Sequence, residues 1–135
     1  MDLTKALSIS ASGMDAQGTR LRVIAENLAN QDTTGGAPGA NPYRRKTVTF
    51  ADTVDSRSGT KLVTVAEVGE DPSAFPLRYD PSNPAANAQG YVKLPNVNSF
   101  IEMMDMRDAE RSYDANLSVM QATRSMLTRT IDLLK

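Results

Sequence analysis

Residues 99–135 read SFIEMMDMRDAERSYDANLSVMQATRSMLTRTIDLLK, and their pattern decides the fold. Neither Pro nor Gly interrupts them. Met106, Tyr113, Met120, Leu127 and Leu134 recur every seven residues, with Met103, Leu117 and Ile131 in a companion row. A heptad of this kind marks a helix that buries one stripe against a partner. Glu110 and Arg124 interrupt the companion row as polar layers. Ser99 followed by Glu102 forms an S-x-x-E capping box, so the helix is expected to open there. Acidic residues crowd its front (Glu102, Asp105, Asp108, Glu110, Asp114) and basic ones its rear (Arg124, Arg129, Lys135), an order that complements the helix dipole. At 1.5 Å per residue the segment is on the order of 55 Å long.

A matching segment lies at the other end of the chain. From Leu3 to about Ala29, Leu7, Met14, Leu21 and Leu28 again step by seven, and Leu3 and Ile24 mark a companion row that also holds Ser10 and Gln17. Ala11, Gly18 and Ala25 run beside this seam as a row of small side chains that would let another backbone come close. An ordinary amphipathic core helix with tolerated glycines reads equally well, since Gly13 and Gly18 each cost roughly 1 kcal/mol relative to Ala. Asn30 and Gly35-Gly36 close the segment, being residues that accept a left-handed backbone.

All seven prolines and six of the eight glycines fall between residues 35 and 95, so the punctuation alone separates two helical flanks from an irregular middle. Within that middle, Lys46–Phe50, Lys61–Val65 and Gly90–Leu94 carry the β-branched and aromatic residues of short strands. The expected fold is therefore mainly α: two long terminal helices in an antiparallel coiled-coil-like pair, with a Pro/Gly-rich, partly β central insert. The division is 1–30, 31–98 and 99–135 within one structural domain. A two-helix hairpin covers only one face of each helix, and the middle has little bulk to cover the rest. Subunit contacts that repeat without closing would do so and give a filament; the same seams permit a compact bundle or dimer.

Composition narrows the chemistry. The chain is 40% hydrophobic but only 5% aromatic, with seven methionines, which suits adaptable helix–helix contacts. A net charge of −1 gives no electrostatic reason to expect nucleic acid or an anionic membrane as partner. Without Cys or His the chain lacks disulfides, thiolate zinc sites and the commonest general base. No apolar run reaches membrane-spanning length, and the amino terminus lacks the features of a cleaved signal peptide. The Glu102, Asp105, Asp108 cluster has no ligand spacing and reads as solvated acids at a helix start. Arg44-Arg45-Lys46 reads as a solvated or salt-bridging turn. No enzyme activity, cofactor or small-molecule substrate is expected.

The motifs do resemble a family. Ile9-Ser10-Ala11-Ser12-Gly13-Met14, followed by Val23 to Asn30 with Asn27-Leu28-Ala29-Asn30 at its end, resembles the amino-terminal signature of flagellar rod and hook axial proteins. Pro42-Tyr43-Arg44-Arg45-Lys46 is similar to the proximal-rod branch. Pro95-Asn96-Val97-Asn98 and Arg111-Ser112-Tyr113-Asp114-Ala115-Asn116 agree on the carboxyl side. The blocks cover well over half the chain; residues 53–76 lie outside them. The resemblance implies a structural rod component that polymerises helically in the periplasm through its terminal helices. It implies contacts with its own copies, other rod proteins, the hook–basal-body junction protein and the flagellar type III export apparatus, and export without a cleaved leader. On this reading the assembly interface is Leu3, Leu7, Met14, Leu21, Ile24, Leu28, Met103, Met106, Tyr113, Leu117, Met120, Leu127, Ile131 and Leu134. A soluble helical adapter or chaperone-like binding module is the alternative from the same helices.

Overall fold

A computed structural model describes residues 2–133. It contains helix α1 (Leu3–Ala29), strands β1 (Lys46–Val54), β2 (Lys61–Glu70), β3 (Leu77–Tyr79) and β4 (Tyr91–Lys93), and helix α2 (Ser99–Asp132). Leu134 and Lys135, the expected end of the second helix, lie outside the described residues. Two helices and a small β region are thus the architecture. Strands β1 and β2 extend past the expected segments, and β3 was not anticipated at all. Among the described residues no helix is long and apolar enough to cross a membrane.

The helix ends are closed by side chains. At the start of α1, the Asp2 carboxylate accepts the Thr4 amide at 3.1 Å, filling an orphan donor. At its other end, the Asn30 side-chain amide donates to the Glu26 carbonyl at 2.9 Å. Asn30 is not left-handed, because among the described residues only glycines have positive φ. At α2 the cap is Asn98, one residue before the expected Ser99: its Oδ1 accepts the Phe100 amide at 3.0 Å. The shift moves Glu102 out of capping position and frees its carboxylate for other partners.

Contacts divide the chain into two compact units, and both long helices contribute to each. The first comprises Met1–Leu21, Val48–Glu67 and Met106–Lys135. Its buried residues are small or polar: Ser10, Ala16, Thr60, Ala109 and Thr123. At Gly13 an added Cβ would lie 2.8 Å from Asn116 Nδ2, so this glycine makes the room in which Asn116 sits. The β1–β2 hairpin turns at residues 55–60, where the Asp55 amide donates to the Thr60 carbonyl at 2.9 Å. The Asp55 carboxylate accepts the Ser58 hydroxyl at 2.6 Å and the Arg57 amide, which hold it below the usual carboxylate range. The Val63 amide reaches the Ser12 hydroxyl at 3.4 Å, setting β2 against α1.

The second unit comprises Arg22–Thr47 and Val68–Asp105. Its apolar core is Val23, Ile24, Ala85 and the fully buried Val92. Strands β3 and β4 pair antiparallel, with Leu77 opposite Lys93, Arg78 opposite Val92 and Tyr79 opposite Tyr91. The Tyr79 and Tyr91 rings meet edge to face at 5.3 Å. Gly90 has φ +81°, and a Cβ there would strike the Tyr79 ring at 2.8 Å, so the position requires glycine twice over.

Candidate functional site

The most constrained place in the chain lies in the second unit, where α1 ends, β1 begins and α2 starts. Asn27 and Glu102 are both fully buried there, with 0% exposure. Burying polar groups is tolerable only when their hydrogen bonds are made, and Asn27 makes all four available to an amide. Its Nδ2 donates to the Lys46 carbonyl at 2.9 Å and to Glu102 Oε2 at 3.1 Å. Its Oδ1 accepts the Lys46 amide and the Tyr43 hydroxyl, each at 2.9 Å. Toward Lys46 the side chain behaves as a neighbouring strand would, engaging both backbone groups. Toward Glu102 and Tyr43 it uses what remains.

Glu102 carries its charge inside through Arg45, whose Nε donates to Oε1. The same guanidinium reaches Asp71 and Asp105, both at 3.5 Å. Burial alone would lower the Arg45 pKa, but the Glu102 hydrogen bond and charge, then Asp71 and Asp105, hold it above its ordinary value. Asp71 is held below the usual carboxylate range by the Ser73 amide and hydroxyl, with Arg45 adding to that. Burial, with Glu26, Glu102 and Glu70 nearby, pushes the Tyr43 hydroxyl up to about 12, so it remains a donor throughout the physiological range. Lys46 pairs with Glu26.

Segment 71–75 is drawn into the same knot. Arg44 Nη1 donates to the Asp71 carbonyl at 2.7 Å and the Ser73 carbonyl at 3.0 Å, and its guanidinium lies 4.1 Å from the Phe75 ring centroid. Asn96 accepts the Arg45 amide at 2.8 Å and donates to the Ser73 hydroxyl at 2.9 Å. The basic triplet is therefore a salt-bridging joint. The acids at the start of α2 are not all solvated: Glu102 is the best-buried charge among the described residues. No local pattern could disclose that, because Arg45 lies 57 residues away in sequence. Both Glu102 oxygens are occupied, and the knot offers structure and no free base or nucleophile. Among the described residues no group of three or more His, Cys, Asp or Glu is placed to hold a metal.

Most of the motif residues fall into two groups. Asn27, Asn30, Tyr43, Arg44, Arg45, Lys46, Asn96 and Asn98 build the knot or the helix ends beside it. Ser10, Ser12, Gly13, Ser112 and Asn116 lie in the first unit, where the Asn116 side chain is held by the Ser112 carbonyl at 3.0 Å. Ala11, Ala29 and Arg111 are exposed, and Leu28 and Tyr113 half-buried. Of the heptad residues, Ile24 is buried, whereas Leu3, Leu7, Met14, Leu21, Met106, Leu117 and Met120 are half-buried. Met103, Leu127 and Ile131 are exposed, and Leu134 is not described. Helix α2 also exposes Phe100 (70%), Met104, Val119 and Met126 (57%), a row of bulky apolar groups of which periodicity reading singled out none.

Two long helices whose buried residues in the first unit are small or polar, with large apolar groups exposed along α2 and a salt-bridged joint in the second unit, define a structural building block. Residues 7–35 match the family model described as Flagella basal body rod protein. Residues 88–133 match the one described as Flagellar basal body rod FlgEFG protein C-terminal. The chain is 55% identical to flagellar basal-body rod protein FlgC of Agrobacterium fabrum, covering 98% of this chain and 96% of that protein. It is 42% identical to FlgC of Escherichia coli O157:H7, over 98% of each chain, and 42% identical to FlgC of Bacillus subtilis, over 95% of each. The chain belongs to the flagellar basal-body rod protein FlgC family. It is a structural component of the bacterial flagellar basal body, associated there with other rod proteins, and it is not an enzyme.

Proposed function

We infer that the chain polymerises helically as part of the flagellar drive shaft, with its terminal helices (1–30 and 99–135) as the assembling elements and residues 31–98 as their insert. The observation that carries this reading is the inverted distribution of side chains on α2. Alanine and threonine are buried at Ala109 and Thr123, while Phe100, Met104, Val119 and Met126 face outward. A soluble monomer does not gain by exposing such a set, and an assembly covers it. The two helices form an antiparallel pair: Gly13 meets Asn116, Asn27 meets Glu102, and the same number of residues separates the two contacts on each helix, in opposite chain directions. Partners are other copies, neighbouring rod proteins, the hook–basal-body junction protein and the type III export apparatus, and the place of work is the periplasm.

The test is a pair of charge insertions. Leu21→Asp and Leu127→Asp each put a carboxylate into the interface, where an unpaired buried charge costs several kcal/mol. Both variants are expected to be synthesised normally yet to abolish swimming and rod completion, read by motility agar and by electron microscopy of isolated basal bodies. Swimming at the parent rate in either variant would place that side chain outside the interface.

A further inference from the structure

The seam of α2 repeats every seven residues as Glu102, Ala109, Asn116 and Thr123, and three of the four are buried. In the first unit it meets the α1 face that carries the buried Ser10 and Ala16 and, between them, Gly13. Small and short polar residues on both sides discriminate poorly between registers one heptad apart. A slip of seven would bring Ala109 or Thr123 to the space that Gly13 leaves for Asn116, and either side chain is compact enough to enter it. In the first unit apolar packing gives little preference, because its bulky groups are half-buried or exposed.

At the polar knot a slip is expensive. A slip that brings Thr123 to Gly13 would set Asn27 against Ala109, and one that brings Ala109 there would set it against Pro95; either strips Glu102 of a donor, leaving a buried amide and a buried carboxylate short of partners. The Asn27 bonds to Lys46 and Tyr43 and the Arg45 bond to Glu102 tie the same strand segment to both helices, so the strand opposes the slip too. Resting on the antiparallel reading above, we propose that Asn27 is the register-setting residue of the helix pair, fixing through its four-partner amide an alignment that the heptads leave degenerate. A single buried polar residue is the best-attested device for specifying helix register.

The chain contains no cysteine, so introduced pairs are its only thiols. The experiment uses full-length protein carrying Gly13→Cys with Asn116→Cys as the in-register pair. Gly13→Cys with Ala109→Cys, and Gly13→Cys with Thr123→Cys, report slips in either direction; both also carry Asn116→Ala so that the new side chain at 13 meets no obstruction. Disulfides formed under diamide are quantified by mass spectrometry, with helicity followed by circular dichroism. With Asn27 present, the in-register product is expected to exceed each slipped product by about a hundredfold or more, the ratio set by stranding buried polar partners. With Asn27→Leu at unchanged helicity, the three products should come within about threefold of one another, as heptad-equivalent registers do. If Asn27→Leu loses helicity, Asn27→Ser, whose hydroxyl is too short to span the same partners, takes its place with the same two readings. Undiminished selectivity in a folded variant overturns the assignment. Loss of helix in both variants overturns it as well, because the knot would then supply stability and not register. If the parent background yields no 13–116 disulfide, the antiparallel pair itself falls, an outcome distinct from the failure of Asn27 as its determinant.

Discussion

At the scale of single residues, the knot shows how a chain without large aromatic bulk obtains a specific joint. Asn27 could not be replaced by Asp, which has no amide donors for the Lys46 carbonyl and Glu102, nor by Gln, whose extra methylene displaces the amide. Tyr43 is the part most accessible to measurement. Its phenol donates to Asn27, and burial together with Glu26, Glu102 and Glu70 raises its pKa to about 12. The unfolded value is about 10. A group whose folded pKa is raised contributes stability that is fully present below about 10 and is lost as pH rises through about 12. The parent is therefore expected to lose stability on alkaline titration across that window partly through Tyr43. Tyr43→Phe should cost about 1 kcal/mol at neutral pH through the lost hydrogen bond, and should flatten the alkaline limb. Urea unfolding at a series of pH values reads both effects; a parallel decline in parent and variant would remove Tyr43 from the titration. Asp71 acts in the opposite range. Its depressed pKa contributes stability above the ordinary carboxylate pKa of about 4, and that contribution is lost as pH falls through the folded value.

At the scale of elements, the helices and their approximate ends were legible because heptads and the confinement of proline to the middle are local signals. What local signals could not convey was which face of each helix turns inward. Apolar periodicity locates bulky side chains, and in the single chain many of those remain at the edge or outside, as Met103, Leu127 and Ile131 do. In the first unit the inward face is marked by compactness instead, at Ala16, Ala109, Thr123 and the Gly13 notch. The extra length of β2 and the presence of β3 were illegible for another reason: Leu77-Arg78-Tyr79 is too short to show a period and becomes a strand only opposite β4. The two mid-helix glycines make the contrast testable. A Cβ at Gly18 meets nothing within 4 Å, so Gly18→Ala should stabilise the isolated chain by about 1 kcal/mol through helix propensity alone. Gly13→Ala gains the same propensity but collides with Asn116, and should show no gain or a net loss. In an Asn116→Ala background the gain at position 13 should reappear. Thermal unfolding of the four variants decides it; equal stabilisation by both single substitutions would show that Gly13 makes no room for Asn116.

At the scale of the whole molecule, the two units differ in what holds them. In the second, Val23, Ile24 and Val92 are buried, each worth about 1.5–3 kcal/mol, and the knot adds satisfied buried hydrogen bonds. In the first, the buried apolar groups are Ala16 and Ala109, each worth only about 0.8 kcal/mol for its one methyl, while Leu7, Met14, Leu21 and Met120 are half-covered. Helices of this length gain little from propensity alone and depend on packing. Protection against amide exchange should therefore change along each helix and not at its ends. Amides of residues 23–29 in α1 and of the α2 residues up to 105 should exchange only with global unfolding. Those of residues 8–20 and 108–128 should open locally, on the order of a hundredfold faster, as segments with few buried apolar contacts do. In isolated basal bodies the slow class should spread over both helices, because neighbours then cover what the single chain leaves half-exposed. Hydrogen exchange read by mass spectrometry on the purified chain and on basal bodies checks both halves of the expectation. Uniform protection along α2 in the dilute chain would mean that the first unit needs no neighbours to hold it, and that the apolar row at Val119 and Met126 faces outward without contributing to assembly.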